Sequence, residues 1–483
     1  MNNLAKDRNL AAGYAIVAAV ALLSMIIVFF FSTRLDLYSF IPVVVVAIGI
    51  APIIRSIIFR TDYFELINIF CLLFVLSIGI RGLTIINQGS KWLASYDPAA
   101  SDYQRVLFYV FIYSTAALLS LYLGYWTKTG SNIASRLPTI RFFPKEKRTL
   151  LAVSLIALII GVIGNYIFLE RIGGVEVMAD SSEVIETGIE SGGGLYYSLL
   201  LEFASVGLLF LYIGKTGMRN GSIEKILLIA FIMLIGFNFL ILPFKGHAIG
   251  IILCVVIARN YLRKKISKKG MIFALLIILL ISPLLNNYRK YGADSLDLVW
   301  SESKTEYSNP VNIFDNFLSR SAGADMFFLS LDRTPDPNPY LYGKSLKKVF
   351  TSFIPRQLYP EKEWSFGKDF SNNYLDTPLI AVISPSTIGE LYINFHVVGI
   401  IAGFFVIGVF LRTVYTYCIS NGVTKEGVII YAIVAEKMIM LVDGPVSDFI
   451  VFVLINLFPV AVLGLLAMML STRSTRKEIV KFS

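Results

Sequence analysis

The chain has 483 residues, of which 56% are hydrophobic before glycine is counted and only 16% are charged. A soluble domain carries about 45–50% apolar residues with glycine included, and about 25% charged residues. These proportions exclude a soluble globular enzyme and a disordered chain. The formal net charge of +10 would suit a nucleic-acid partner, but in a membrane protein it more often reflects how much loop faces the cytoplasm.

The apolar residues occur in blocks, and a helix needs about 20 of them to cross a bilayer. Twelve blocks reach or approach that length, so the sequence predicts an all-α polytopic membrane protein with about 12 transmembrane helices. If residues 226–262 formed one re-entrant hairpin, the count would fall by two. The predicted spans are residues 10–32, 37–54, 64–80, 106–125, 149–169, 195–214, 226–242, 248–262, 271–285, 388–411, 428–442 and 449–470.

These spans divide the chain into four parts. Residues 1–285 would hold spans one to nine, 286–385 an external loop, 386–470 the last three spans, and 471–483 a basic tail. The first apolar block is too long for a signal-peptide core and has no small-residue cleavage site after it, so we expect it to remain as a membrane helix.

Basic residues indicate the orientation. A cytoplasmic N-terminus puts 25 Lys and Arg residues in the inner segments and only 6 in the short outer loops, which is the bias that inner-membrane proteins show. We therefore expect both termini in the cytoplasm. The net charge then records topology, not a nucleic-acid partner, and the cytoplasmic face also suits anionic lipid headgroups.

The outer loop of about 100 residues, 286–385, is too long to be structureless in a compact fold. Residues 311–331 have apolar side chains at helical spacing, which predicts an amphipathic helix on the membrane face. Residues 345–353 predict a second helix, and a Pro-rich connector, 334–339, lies between the two. We therefore predict a folded, partly helical external cap between spans nine and ten. A channel or simple carrier has little use for such a cap, whereas an enzyme acting on a lipid-borne substrate does.

Four arginines lie near predicted span ends or amphipathic segments, at the depth of lipid headgroups: Arg81, Arg289, Arg320 and Arg356. The planar guanidinium donates two parallel hydrogen bonds to phosphate and stays ionised. The alternative is that they only snorkel to the interface. Lys245 and His247 lie at the tip of a tight turn before span eight and are further candidates.

Ionisable residues inside predicted spans are costly and indicate function. They are Glu202, Glu390, His396, Glu436, Lys437 and Asp443. Glu390 lies about one turn into span ten, close beneath the cap, where it could be a general base, hold a cap arginine by an ion pair, or be structural. For His396 we favour a side chain satisfied by a neighbouring helix. Glu436 and Lys437 are adjacent and cannot share one helix face, so each should need its own partner or a water-filled cavity.

Known metal and nucleotide motifs are not found in the sequence. There is no HExxH, P-loop, DxD pair or Gly-rich dinucleotide motif, and Cys71, Cys254 and Cys418 have neither metal spacing nor a partner for a disulfide. The sequence therefore disfavours nucleotide-sugar donors and metal catalysis, and we expect no cofactor.

Two segments resemble a known family. The first begins with Tyr342-Gly343-Lys344 and continues as FIPRQLYPEK at 353–362, and the second is PSTIGELYINF at 385–395. Together they resemble the O-antigen polymerase family, the Wzy-type oligosaccharide repeat-unit polymerases, over about residues 320–408. Two departures stand out. The family usually has Gly where His396 stands, and relatives often have a Gly-Ser-Arg type turn where this chain has Lys245 and His247.

The resemblance implies a metal-independent, GT-C-like glycosyltransferase of the bacterial inner membrane. Its donor and acceptor would be glycans carried on undecaprenyl diphosphate, with a chain-length regulator and a flippase as possible partners. Positive charge must stabilise the diphosphate leaving group, and a base must take the acceptor proton. The candidates for diphosphate or substrate binding are Arg81, Arg289, Arg320, Arg356, Lys245, His247 and Tyr392. Glu390 is the first candidate base, with Asp325 and Asp376 in reserve. Cap aromatics such as Tyr340, Tyr342, Trp364 and Tyr374 could stack on sugars or form the core of the cap.

Two alternatives remain open. An O-antigen ligase shares the architecture and donor but transfers glycan to a lipid A core. A lipid-linked oligosaccharide flippase or another transporter also commonly has twelve spans, but it has less use for a large cap, and no internal repeat is detectable.

Overall fold

A computed structural model describes most of the chain. The described residues are 37–98, 100–171, 194–218, 221–241, 246–267, 269–270, a few positions between 276 and 288, 295–308, 321–354, 358–359, 366–375 and 383–481. The predicted first span lies outside these residues, and so does most of the predicted ninth.

Within this part of the chain the secondary structure is helical, with no strand. The helices are α1 (Leu37–Ile58), α2 (Leu66–Phe74), a π-helical turn (Val75–Ile80), α3 (Arg81–Gln88), α4 (Ser101–Trp126), α5 (Lys128–Arg136), α6 (Lys147–Arg171), α7 (Gly194–Gly214), α8 (Ser222–Ile241), α9 (Gly246–Leu262), α10 (Leu296–Tyr307), α11 (Gly323–Asp332), α12 (Lys344–Thr351), α13 (Phe366–Tyr374), α14 (Thr387–Tyr415), α15 (Lys425–Glu436), α16 (Met438–Asp443) and α17 (Val446–Lys481).

Six helical segments among the described residues are long and apolar enough to cross a membrane: Ile41–Ile58, Leu66–Asn87, Ser101–Trp126, Lys147–Glu170, Thr387–Ser420 and Val446–Ser471. Shorter apolar helices are Leu199–Gly214 and Gly250–Leu262. The prediction of an all-α polytopic membrane protein is thus confirmed in its coarse form. The count of twelve spans and the external cap stay predictions.

Helices α4 and α14 pack with their backbones in close approach. A Cβ atom at Gly124 of α4 would collide with the carbonyl oxygen of Phe405, and one at Gly408 of α14 with that of Leu121. Small residues at a helix interface let backbones approach in this way. Phe404 of α14 also packs edge-on against Phe74 of α2, with ring centroids 5.9 Å apart. Helices α4 and α14 are therefore tightly packed against each other in the bundle.

One end of the bundle is fixed by buried polar contacts around the start of α2. Glu65 accepts a hydrogen bond from the hydroxyl of Tyr125, and the Nη1 atom of Arg412 lies 3.5 Å from its Oε1. Nearby, Asp62 accepts hydrogen bonds from Tyr261 and Tyr415. These contacts connect the α1–α2 loop to α4, α9 and α14. Most of the described candidate residues lie at the opposite end of the bundle, where α3 begins.

The helix predicted as span ten is not continuous. Residue Ser386 caps α14 by accepting a hydrogen bond from the backbone of Gly389, but the helix breaks at Phe395 (φ −142°, ψ 21°) and His396 (φ 57°, ψ −154°). A Cβ at Gly403 would lie 2.6 Å from Cδ1 of Leu391, so the short first part, residues 387–394, folds back against the long second part. The predicted span over residues 388–411 thus falls within an apolar helical segment that is long enough to cross a membrane, but it is interrupted by a break that the sequence did not predict.

Candidate functional site

Glu390 lies on the short first part of α14, and its side chain is completely buried. Its Oε1 accepts hydrogen bonds from the hydroxyls of Ser345 and Ser447, both at 2.7 Å, and its Oε2 accepts one from the backbone N–H of Ser447 at 3.1 Å. Among the described residues its partners are therefore serines, not an arginine. Because of the helix break, Glu390 belongs to a short helix packed beneath α12 and the start of α17, and is not one turn inside a continuous span.

Asn394 joins the two segments that carry the family resemblance. Its Oδ1 accepts a hydrogen bond of 2.8 Å from the backbone N–H of Gly343, and its backbone carbonyl accepts one of 3.2 Å from Tyr342. Its Nδ2 donates to the hydroxyl of Ser345 at 2.7 Å, and that hydroxyl donates to Glu390. Residues 342–345 and 390–394 therefore form one buried hydrogen-bonded unit.

The positive φ of Gly343, 90°, fits the N-terminal end of α12, a backbone conformation that glycine adopts at no steric cost. This turn places Ser345 in the first turn of the helix, where it reaches Glu390.

Arg81 and Asp325 were separate candidates in the sequence, one for diphosphate binding and one as a reserve base. In the fold they pair with each other. Arg81 Nε lies 2.8 Å from Asp325 Oδ2, and Arg81 Nη2 lies 3.1 Å from Oδ1. The hydroxyl of Ser90 donates to Asp325 and also accepts a hydrogen bond of 3.2 Å from Arg81. The geometry holds one edge of the guanidinium in a fixed orientation.

Asp443 contacts residues four positions before each member of this ion pair. Its carboxylate accepts a hydrogen bond from the hydroxyl of Ser77, which lies in the π-helical turn before Arg81. The hydroxyl of Ser321 lies 2.9 Å from Oδ2 of Asp443 and 3.1 Å from Oδ1. Gly323, between Ser321 and Asp325, leaves no room for a Cβ against Ser77. Three carboxylate networks, centred on Asp325, Asp443 and Glu390, therefore lie on helices that contact one another: α11, α16 and α14.

Aromatic rings surround the break in α14. The ring of Tyr392 lies 5.1 Å from that of His396 and 6.2 Å from those of Tyr340 and Tyr113. The side chain of His396 is exposed, and its ring lies beside those of Tyr340 and Tyr392. The sequence had suggested a neighbouring helix as its partner. Tyr340 and the buried Tyr392 thus lie together beside the Glu390 unit.

A further contact secures the segment that carries Asp325. The hydroxyl of Tyr96, in the loop after α3, donates to Asp332 at the end of α11 over 2.5 Å. Burial, together with the neighbouring Asp332 carboxylate, raises the pKa of Tyr96 to about 12. The phenol therefore keeps its proton and remains a donor throughout the physiological pH range.

Several candidate residues lie outside the described positions. They are Lys245, Arg289, Arg320, Arg356 and Asp376, together with the side chain of His247. Their predicted roles stay predictions. Among the described residues no group of three His, Cys, Asp or Glu side chains is arranged to hold a metal ion.

Sequence reasoning missed the small polar residues that complete these networks: Ser77, Ser90, Ser321, Ser345, Asn394 and Ser447. A serine has no distinctive pattern in an apolar chain. Asn394 was the exception, because it lies within the GELYINF segment and could have been selected with Glu390.

The fold and these networks define a polytopic helical membrane protein with buried carboxylates at one end of its bundle. Comparison of the chain with protein-family models, with curated proteins and with solved structures finds no match.

Proposed function

We propose that the protein polymerises oligosaccharide repeat units carried on undecaprenyl diphosphate into an O-antigen or a related surface polysaccharide. The observation that carries this proposal is the hydrogen-bonded unit of residues 342–345 and 390–394. The two segments on which the family resemblance rests are about 45 residues apart in the chain and contact each other through Gly343, Ser345, Glu390 and Asn394. A resemblance whose parts form one unit is stronger than two independent short matches.

In the proposed reaction, the hydroxyl of the acceptor repeat unit attacks the anomeric carbon of the growing chain. The new glycosidic bond forms as the bond to undecaprenyl diphosphate breaks, and the leaving diphosphate takes the electron pair. Fixed positive charge next to the departing diphosphate lowers the barrier. We assign that charge to Arg81, Arg289, Arg320 and Arg356, with Lys245 as a further cation and His247 and Tyr392 as neighbouring substrate contacts.

For Asp325 we propose a different role from the reserve base that the sequence suggested. Its carboxylate accepts hydrogen bonds from Nε and Nη2 of Arg81, so the edge of the guanidinium formed by these two nitrogens faces Asp325. We infer that Asp325 orients Arg81, which would meet a phosphate through its remaining N–H groups. Asp376 stays the reserve base.

Glu390 is the proposed base. All its described hydrogen bonds come from serines and a backbone amide, so a substrate hydroxyl can replace a serine hydroxyl as donor without leaving a buried cation unpaired. The acceptor proton would move to the carboxylate as the glycosidic bond forms.

The proposed topology has 12 spans, with residues 286–385 as a cap on the periplasmic side of the inner membrane and both termini in the cytoplasm. The distribution of basic residues supports this orientation, with 25 in the inner segments against 6 in the short outer loops.

The test is complementation of a null mutant in a host that makes the polymer, followed by analysis of glycan length. We expect wild-type protein to restore a polymer ladder, and Arg320→Ala or Arg356→Ala to reduce it to single repeat units while the protein remains inserted. A null mutant that accumulates lipid-linked polymer would indicate a ligase. One that retains lipid-linked single units on the cytoplasmic leaflet would indicate a flippase.

A further inference from the structure

The short helix α12 (Lys344–Thr351) buries polar side chains and exposes an aromatic one. Ser345, in its first turn, and Ser352, directly after its end, are both buried, whereas Phe350 is 79% exposed. A helix that packs on a protein in water has the opposite arrangement, with its apolar side chains against the core. An exposed apolar surface of this kind indicates an interaction site. The outward side of α12 is therefore suited to a partner other than water.

Two polar contacts fix which side of α12 faces the protein. The hydroxyl of Ser345 donates to Glu390 of α14, and Nζ of Lys348 lies 2.5 Å from Oδ1 of Asp448 of α17. With about 3.6 residues per helical turn, Phe350 lies on the side opposite Ser345 and Lys348. The exposure of Phe350 is thus a consequence of how the whole helix is seated.

The outward side of α12 combines apolar and basic residues. Leu346 lies beside Phe350 on this side and is partly exposed, and the side chains of Lys344 and Lys347 are exposed. Tyr342, directly before the helix, is exposed as well. Tyrosine is enriched at the membrane–water interface, and lysines there extend their ammonium groups towards the headgroups. We call Lys344, Leu346, Lys347 and Phe350 the outer face of α12.

The outer face lies at the level where a membrane span begins. The span Val446–Ser471 has 26 residues, and a helix needs about 20 to cross the hydrocarbon core. Asp448, the third residue of this span, therefore belongs at the membrane surface, and its pairing with Lys348 holds α12 at the same level. An apolar face at this level meets lipid.

We propose that the outer face of α12 binds the surface of an anionic phospholipid bilayer, which is the same membrane that α17 crosses. Phe350 and Leu346 would enter the boundary between headgroups and acyl chains, where amphipathic helices bury their apolar face by about 5–10 Å. The ammonium groups of Lys344 and Lys347 would meet the lipid phosphates, since anionic headgroups attract basic residues close to the surface. The proposal rests on the seating of α12 and does not depend on the polymerase function.

Spin labelling of the whole protein in lipid nanodiscs tests the depth of the outer face. A nitroxide on Phe350→Cys is exposed in turn to oxygen, which concentrates in lipid, and to a water-soluble nickel chelate. The three native cysteines are buried, and wild-type protein treated with the label gives the background. Val406→Cys, on the exposed side of α14, is the lipid reference, and Asp336→Cys, in the exposed turn before α12, is the water reference.

We expect the ratio of oxygen to nickel collisions at position 350 to lie well above that at 336 and below that at 406. A label on Lys347→Cys, nearer the headgroups, should give a lower ratio than the label at 350. The substitutions at 347 and 350 replace exposed side chains and leave the contacts of Ser345 and Lys348 in place, so the fold is retained.

The lipid composition tests the basic part of the outer face. The ratio at position 350 should be higher in nanodiscs of equal phosphatidylcholine and phosphatidylglycerol than in phosphatidylcholine alone. Lys344→Gln/Lys347→Gln should abolish this difference. The matched control is Lys264→Gln/Lys265→Gln, which removes two exposed lysines from the loop after α9 and should preserve it.

Three results would overturn the proposal. A ratio at position 350 equal to that at 336 would place the outer face in water. A label at 350 that is shielded from both oxygen and nickel would mean that protein covers the face, either another segment of this chain or a second copy. Equal ratios in the two lipid compositions, or a difference that survives Lys344→Gln/Lys347→Gln, would contradict the binding of anionic headgroups.

Discussion

The guanidinium of Arg81 and the carboxylate of Asp325 form a two-contact ion pair between residues 244 positions apart in the chain. The Asp325 side chain has no exposure and that of Arg81 is 11% exposed. Removing one partner of such a pair leaves an uncompensated buried charge, whereas replacing both with apolar residues can be nearly neutral. The pair therefore connects the C-terminal part of the span Leu66–Asn87 to α11.

We expect Arg81→Ala to lower the free energy of unfolding by about 3–5 kcal/mol, measured by thermal unfolding in detergent. The double variant Arg81→Leu/Asp325→Leu should recover most of that loss. Arg105→Ala is the matched control, because Arg105 pairs with Asp102 on the exposed surface and such pairs contribute at most about 1 kcal/mol. Equal losses in Arg81→Ala and Arg105→Ala would contradict the assignment.

Ser447→Ala removes one of the three described hydrogen bonds to Glu390. Leaving a buried polar group without its partner costs about 1–3 kcal/mol, so we expect that loss of unfolding free energy. Ser301→Ala, whose hydroxyl donates to a backbone carbonyl on the exposed surface, should change stability by less than about 0.5 kcal/mol. A Ser447→Ala protein as stable as Ser301→Ala would mean that Glu390 does not depend on this contact.

The backbone of His396 (φ 57°, ψ −154°) lies in a region that is essentially restricted to glycine. We expect His396→Gly to be more stable than His396→Ala by about 1 kcal/mol or more, since both lose the ring and differ only by the Cβ atom. At Ile401, a helical position later in α14, the order should reverse, with Ala more stable than Gly by about 0.5–1 kcal/mol. The same order at both positions would argue against the break.

The close approach of α4 and α14 predicts that Gly408→Ala is destabilising. Its added Cβ would meet the backbone of Leu121, and overpacking of this kind costs about 1–3 kcal/mol. Gly236→Ala in α8 is the matched control, because no described atom lies within 4 Å of its Cβ position. There, Ala should stabilise the helix by up to about 1 kcal/mol. Destabilisation of equal size in both variants would contradict the proposed helix packing.

The sequence predicted the helical, membrane-spanning character well, because blocks of about 20 apolar residues seldom form anything other than membrane-spanning helices. It did not predict the break in α14, since the signals for a break are Pro and Gly, and His396 occupies the position. This backbone favours Gly, the residue that the resemblance to the O-antigen polymerases would place there.

The candidate site was predicted in part. Arg81, Asp325, Glu390 and Tyr392 were selected from charge, position and resemblance, and they lie in neighbouring networks at one end of the bundle. The pairing of Arg81 with Asp325 could not be read from one sequence, because it depends on how α3 and α11 pack. The sequence predicted separate partners for Glu436 and Lys437, but Lys437 Nζ lies 2.9 Å from Oε2 of Glu436. The pair was missed because both residues were assigned to one continuous helix, whereas α15 ends at Glu436 and α16 begins at Met438.

The most direct test of the proposed polymerase is incubation of purified protein with lipid-linked repeat units and no lipid A core, followed by measurement of glycan length. We expect wild-type protein to make chains of many repeats on the lipid carrier. Glu390→Gln, which keeps the shape of the side chain but cannot accept a proton, should leave single units, and Glu390→Asp should retain part of the activity. Unchanged single units with wild-type protein would contradict the proposed function, and full-length polymer from Glu390→Gln would contradict the assignment of Glu390 as the base.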